Sequence, residues 1–579
     1  MQPAGVARIP YIGKVLPRLN STTFILVGTI AVIAYLVIVP VIFLFWSSFR
    51  TALPTPANPG VFTLQNYVFV YSSPTTYTLF LNTAIFVIVC TSVALVLAVA
   101  FAWLIERTDI PAKGTLFVLI LLPSAVPSLL MGISYIILAG PEAGLLNRLT
   151  DQWFGAKPFN IFSLPAMFML QAIGSVPSSF LIVLAALRSM DPALEEAASV
   201  SGVGWLTTIR RVTMPMMLPA ILAAAIYTGM NIAETFEIPA LIGVPIGFHV
   251  LSSQVYLSVR VWGNHTVASA YSVIFLILLV GLVFLYQRAT RYGFRYATIS
   301  GKGYRPKLIP IGRWKYPALA FIAFYLIVNV AMPLCVFVWS SIFPSWQVPS
   351  LAILSKANLD SYREVFGNSN FLASVKNTLI LMVLTPALTV GLISVASWLI
   401  VRSNLSMKSK ALLDTLTFWP HAYPGIVLGV TLLWFFIIVD FPPVWGTLWP
   451  IIFGLTISYM PFTVRTLNAA FIQVHQDLEQ AAYVSGARWA STFVRITLPL
   501  VLPALASAAL WIAIHAMRSL TVPMFLTAQG NEVLAMLLWT YWDNDMVEAV
   551  SVIGLIYLVV CVVLSLLWRR YGFRQWDRS

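Results

Sequence analysis

The ionisable side chains that could do chemistry inside the apolar stretches of this chain concentrate in two matching segments. Asn231-Ile232-Ala233-Glu234-Thr235-Phe236-Glu237-Ile238-Pro239 aligns with His515-Ala516-Met517-Arg518-Ser519-Leu520-Thr521-Val522-Pro523. Glu234 therefore stands where Arg518 stands, and Glu237 where Thr521 stands. A charge inside a membrane span is costly and usually faces a cavity or a partner. Three uses fit Glu234, Glu237, His515 and Arg518: an ion pair or gate between two halves, a contact for a passing solute, or a polar end of a span with no special role. Pro239 and Pro523 are expected to mark the ends of these helices. His421, after Trp419-Pro420, has Ser124 as its counterpart and reads as a packing histidine.

Catalysis has no visible machinery. There is no G-x-x-x-x-G-K-[ST] phosphate loop, and the only Gly-Lys pairs, Gly13-Lys14 and Gly301-Lys302, lack its context. No nucleophile elbow and no H-E-x-x-H occur. The chain is thus expected to be no enzyme, to hold no metal and to bind no cofactor of its own. If ATP with Mg drives it, the nucleotide is hydrolysed on another polypeptide.

The elements that must position these residues are membrane spans. Of 579 residues, 59% are hydrophobic and 9% charged, with mean hydropathy +0.88, far outside the soluble range. A net charge of +14 does not point to nucleic acid, because the basic residues sit between apolar runs. Cys90, Cys335 and Cys561 lie inside apolar segments, which fits small buried hydrophobes and no disulfide framework. The apolar run after Arg8, Lys14 and Arg18 is too long for a cleaved signal peptide and reads as the first span.

About twelve spans are expected. In the first half they run from Thr23 to Phe49, Leu79 to Ile105, Thr115 to Leu138, Ile161 to Leu187, Met216 to Ile242 and Val267 to Tyr286. In the second they run from Tyr316 to Phe343, Phe371 to Val401, Ala411 to Val439, Leu448 to Ala470, Leu498 to Leu526 and Val547 to Trp568. The domain plan is a tail over 1–22, a first repeat over 23–290, a basic linker over 291–315, a second repeat over 316–568 and a tail over 569–579. Asn82-Thr83 pairs with Asn377-Thr378, Trp103-Leu104-Ile105 with Trp398-Leu399-Ile400, and Pro123 and Pro127 with Pro420 and Pro424. Both halves end in Arg-Tyr-Gly-Phe-Arg, at 291–295 and 570–574. Six spans per half make the repeats parallel, with a pseudo-twofold axis along the membrane normal. With the N-terminus inside, about 26 of the 34 Lys and Arg fall on inner segments and about 8 on outer ones. Both termini, the linker and the loops between spans four and five are therefore expected on the cytoplasmic side.

Those loops are themselves a repeat. LEEAASVSGVGWLTTIRRVTMPMMLPA, Leu194 to Ala220, and LEQAAYVSGARWASTFVRITLPLVLPA, Leu478 to Ala504, agree at about 15 of roughly 27 positions. Each reads as a short helix, a glycine turn and a second short helix, with Asp191 and Pro192 suited to start the first copy and Gly202 or Gly204, and Gly486, to break it. From spacing alone, amphipathic connectors on the membrane surface would look the same.

The pattern Glu195-Ala197-Ala198…Gly202…Pro215, repeated as Glu479-Ala481-Ala482…Gly486…Leu498-Pro499, resembles the signature loop of bacterial ATP-binding-cassette importer permeases. Glu196 and Gln480 sit between the matching residues. The resemblance is to the fused, two-repeat permeases of the ferric iron, thiamine and phosphonate group. It implies an all-α polytopic fold of two parallel six-helix repeats, the type I importer fold, in a bacterial inner membrane. It also implies that loops 191–213 and 475–497 each dock one of two copies of a cytoplasmic ABC ATPase through Glu195, Glu196, Ala197, Ala198 and Gly202, and through Glu479, Ala481, Ala482 and Gly486. An extracytoplasmic solute-binding protein would deliver the solute, with the bilayer as surroundings and no nucleic acid partner. In that family the span carrying Glu234 or Arg518 lines the axis. Ferric iron is the expected solute, with sugar phosphates, thiamine, phosphonates and polyamines carried by similar chains. A secondary transporter with two parallel repeats is the rival class, and a channel lacks any filter-like segment.

Overall fold

A computed structural model describes residues 21–52, 60–190, 193–293, 308–343, 353, 355–403, 405–439, 443–487 and 489–572. The cap residues Asp191 and Pro192, Arg488, most of the linker 291–315 and most of both tails lie outside the described residues.

Among the described residues, nine helices are long and apolar enough to cross a membrane, and three further pairs pass together across bends of 86°, 87° and 106°. The helix Trp449–Gln473 adds another long element where the fourth span of the second half is expected. Every expected span has a helical counterpart, and the described residues contain no strands beyond two isolated bridges.

Within each half the second span is central. Ala94, Ala98 and Ala102 form a buried stripe on Pro74–Arg107, and small residues at this spacing let it pack closely on Leu164–Ser189 and Met214–Glu234. Leu81, Ile88 and Val96 of the same helix are exposed and leave an apolar face for lipid.

The third span of each half is broken by its prolines. Lys113–Ala125 and Ser128–Ala139 meet at 86° around Pro123 and Pro127, and Met407–Ala422 and Gly425–Ile438 meet at 106° around Pro420 and Pro424. Proline removes a donor and clashes with the preceding turn, so carbonyls at the break lose their helical partners. Such backbone survives at membrane depth only where protein or a water-filled cavity receives it.

Two expectations change. The fifth spans are shorter than expected, ending at Glu234 and Arg518. Pro239 and Pro523 do not end them; Pro239 opens the next helical piece, and Pro523 lies within Thr521–Leu526. Before the sixth span the first half inserts a bent pair, Pro239–Ile246 and Leu251–Val261 at 87°. Leu251, Ser252, Ser253 and Val255 of this insert are buried, which is how its irregular backbone escapes lipid.

The halves also exchange their first spans. Tyr35 and Phe43 of Ser21–Ser48 pack edge-on against Phe435 of the second half, with centroids 5.6 and 5.9 Å apart. In return, Tyr135 of the first half donates to Val328 O at 2.8 Å, in the first span of the second half.

Candidate functional site

Between the halves lies a cavity of about 950 Å³, lined by both repeats and by both broken spans. Glu234, Glu237, His515 and Arg518 all line it, so the four residues singled out in the sequence share one space. They reach it because the fifth spans end at Glu234 and Arg518, beside the two breaks.

Of the three uses open for this cluster, an ion pair between Glu234 and Arg518 is not formed. Arg518 instead donates across the halves to the carbonyl oxygens of Ser124 and Val126, the latter at 3.4 Å. These are carbonyls of the proline break, so the guanidinium supplies donors the helix lost. By symmetry, Glu234 would face the break at His421, but a carboxyl offers at most one donor where a guanidinium offers five. There Tyr227 stacks on His421, with centroids 6.1 Å apart and planes at 16°. His515 is held by its own helix: Nδ1 lies 2.9 Å from Trp511 O, and the two rings stack at 3.8 Å. Among the described residues no group of three or more His, Cys, Asp or Glu could hold a metal ion. The cavity carries carboxyl groups from one half and a guanidinium from the other.

The duplicated loops are built alike. The helices Ala193–Val200 and Gln476–Val484 stop at Gly202 and Gly486, whose φ angles are +75° and +82°. Val203 N–H donates to Ala198 O and Ala487 N–H to Ala482 O, the bond expected when a left-handed residue ends a helix. A Cβ on either glycine would meet nothing within 4 Å, so the requirement is backbone conformation, not space. Gly204 has no positive φ, and the matching position is Arg488.

Glu195 and Glu479 do not point outward. Glu195 accepts from Thr213 Oγ1 at 2.6 Å and meets Arg107 Nε at 2.8 Å, the latter a charge contact without hydrogen-bond alignment. Arg107, only 3% exposed, also donates to Leu187 O at 3.0 Å. Glu479 accepts from Thr497 Oγ1 at 2.8 Å, with Arg402 Nε 3.9 Å away. Arg402 donates to the carbonyls of Phe471 and Val474. Leu194, Val200, Leu478 and Val484 are the side chains that project, with Val200 and Val484 89% and 90% exposed. They were missed in the sequence, where the signal was an apolar pair six residues apart in each copy. Arg107 and Arg402 were missed too, although each follows the paired Trp-Leu-Ile by two residues.

The turn after Arg107 is pinned to the far end of the linker. Asp109 binds Lys315 Nζ at 2.7 Å and accepts from Ile311 N–H at 3.0 Å. The Lys315 ammonium and then the Ile311 amide hold its carboxyl below the usual carboxylate range.

The model of the family described as "Binding-protein-dependent transport system inner membrane component" matches the chain twice, over residues 94–292 and 387–575. The ferric transport system permease protein FbpB of Actinobacillus pleuropneumoniae is 26% identical over 77% of this chain, which spans 64% of that relative's length. The Fe(3+)-transport system permease protein FbpB 2 of Haemophilus influenzae is 21% identical over 85% of this chain and 90% of its own length. A bacterial ABC transporter that imports the acidic polysaccharide alginate is a similar solved structure, at 16% identity and TM-score 0.36 over 45% of this chain and 94% of its own. One family match per repeat leaves the secondary-transporter alternative without support. The two matches, the parallel helical repeats and the paired loops together show that this chain belongs to the binding-protein-dependent inner membrane components, as a fused two-repeat ABC importer permease.

Proposed function

We propose that this permease forms the translocation pathway of a ferric iron importer. The cavity between the halves carries the reading: it is the one place where Glu234, Glu237, His515 and Arg518 meet. An extracytoplasmic binding protein hands the solute to this space. Two ATPase subunits, which hold ATP and Mg, dock on the loops at 191–213 and 475–497 through Leu194, Val200, Leu478 and Val484. The inward-turned Glu195 and Glu479 and the glycine stops at Gly202 and Gly486 shape those docking surfaces. Both loops and both termini face the cytoplasm, in line with the Lys and Arg asymmetry. Solute and nucleotide drive transport only by binding one conformation better than another.

Ferric iron is favoured by the two ferric permease relatives and by the carboxylates at 234 and 237. The test is uptake into proteoliposomes holding the permease, its ATPase and its binding protein. Radioactive ferric iron should accumulate with ATP, and the Glu234→Gln/Glu237→Gln double variant should lower uptake while the complex still assembles. Saturable uptake of thiamine or a sugar phosphate, with no uptake of ferric iron, would refute the substrate.

A further inference from the structure

We infer that Arg107 and Arg402 are positioning residues that lock each coupling loop to the ends of three spans. In each half one guanidinium sits where four segments converge. Arg107 closes Pro74–Arg107, and Leu187 O, which it grips, lies near the end of Leu164–Ser189. Its charge partner Glu195 starts the loop helix, and Thr213, bonded to the same carboxylate, precedes Met214–Glu234. Arg402 repeats the arrangement with Phe471, Val474, Glu479 and Thr497. Leu187 and Phe471 are equivalent in the repeat, as are Thr213 and Thr497, so the design recurs in two copies whose surrounding sequences have diverged.

The chemistry explains the residue types. A carbonyl at a helix end wants a donor and a positive charge, and a buried carboxylate wants both as well. Only arginine offers fixed charge and several donors in one plane. Opening such a buried pair strands a charge, so the loop and the three span ends move as one body. A push on the exposed Val200 or Val484 then reaches the cavity through Met214–Glu234 or Leu498–Arg518, which end at Glu234 and Arg518.

This inference rests on the docking of an ATPase at the loops. The experiment compares wild-type permease with Arg107→Met, Arg107→Lys, Arg402→Met, Arg107→Glu and the swap Arg107→Glu/Glu195→Arg, each in complex with its ATPase and binding protein in proteoliposomes. Solute uptake per ATP hydrolysed should fall at least about fivefold in the Met variants, less in Arg107→Lys, and recover partly in the swap relative to Arg107→Glu alone. Should a Met variant fail to assemble, Arg107→Lys decides by the same ratio. An unchanged ratio in assembled variants overturns the inference. Failure of the ATPase to copurify with the wild-type chain overturns the docking reading instead.

Discussion

Replacing Arg518 by Met should shift the balance between conformations of the two halves. The guanidinium bonds Ser124 O and, at a longer 3.4 Å, Val126 O. One firm charged hydrogen bond contributes about 1.5–3 kcal/mol. The cavity is open to water, which would take over part of that role, leaving a net loss of about 1–2 kcal/mol. If the tether exists only in the conformation described, that loss moves the population ratio by about 5–30-fold. Val200 and Val484, one in each half and almost fully exposed, are sites for paired spin labels after Cys335, the exposed cysteine, is changed to Ala. Distances between the labels should redistribute away from the present conformation in Arg518→Met. Arg518→Lys, which keeps charge but offers no planar fork, should fall between it and wild type. Identical distance distributions in the three labelled proteins, with identical uptake in their unlabelled counterparts, would refute the tether.

Three further outcomes follow from the loops and the linker. Gly202→Ala and Gly486→Ala should each cost about 1–2 kcal/mol, because an L side chain resists φ near +75° to +82°, and weaker capture of the ATPase in pull-downs would register it. Gly204→Arg should be nearly neutral in the same pull-down, since the residue needs no left-handed backbone. Asp109→Asn should free Lys315 and loosen the segment at 308–315, which limited proteolysis would register. The depressed pKa of Asp109 means its contribution is present above the ordinary aspartate range and lost as pH falls through the lowered value. In the wild type, the segment at 308–315 should therefore become more sensitive to an acid-tolerant protease only as pH falls through that lowered range, whereas Asp109→Asn should be sensitive throughout.

Much of this architecture was legible because it is written in patterns that survive without contacts. Spans follow from apolar length, the repeat from self-similarity, and the loop stops from glycines whose φ is positive. Three features were not legible, each for a physical reason. The fifth spans stop short of Pro239 and Pro523, because hydropathy continues through the insert that folds back into protein. The exchange of first spans depends on which helix Tyr35 and Phe43 meet, and lipid-facing and protein-facing Leu, Val and Phe look alike in sequence. Glu195 and Glu479 read as exposed loop acids, because their partners Arg107 and Arg402 are far off in the chain and sit at the ends of apolar helices.

The partner of Arg518 carries a wider consequence. In a permease of two identical subunits, a donor placed at the end of the fifth span would serve both broken spans alike. Here one copy holds Arg518, which donates to the carbonyls of the opposite break, while the other holds Glu234, whose carboxyl cannot offer the several donors of a guanidinium. At that second break Tyr227 stacks on His421. Fusion of the two repeats lets the positions diverge, so one side of the cavity carries a guanidinium tied to the opposite break and the other a carboxyl. Charge reversal should expose that division: Glu234→Arg restores like residues at both positions, adds a second cation to the cavity, and should abolish uptake of a cation while leaving assembly intact. Arg518→Glu should instead weaken the contact between the halves. Equal losses of uptake and equal stability in the two variants would show that the halves share both roles.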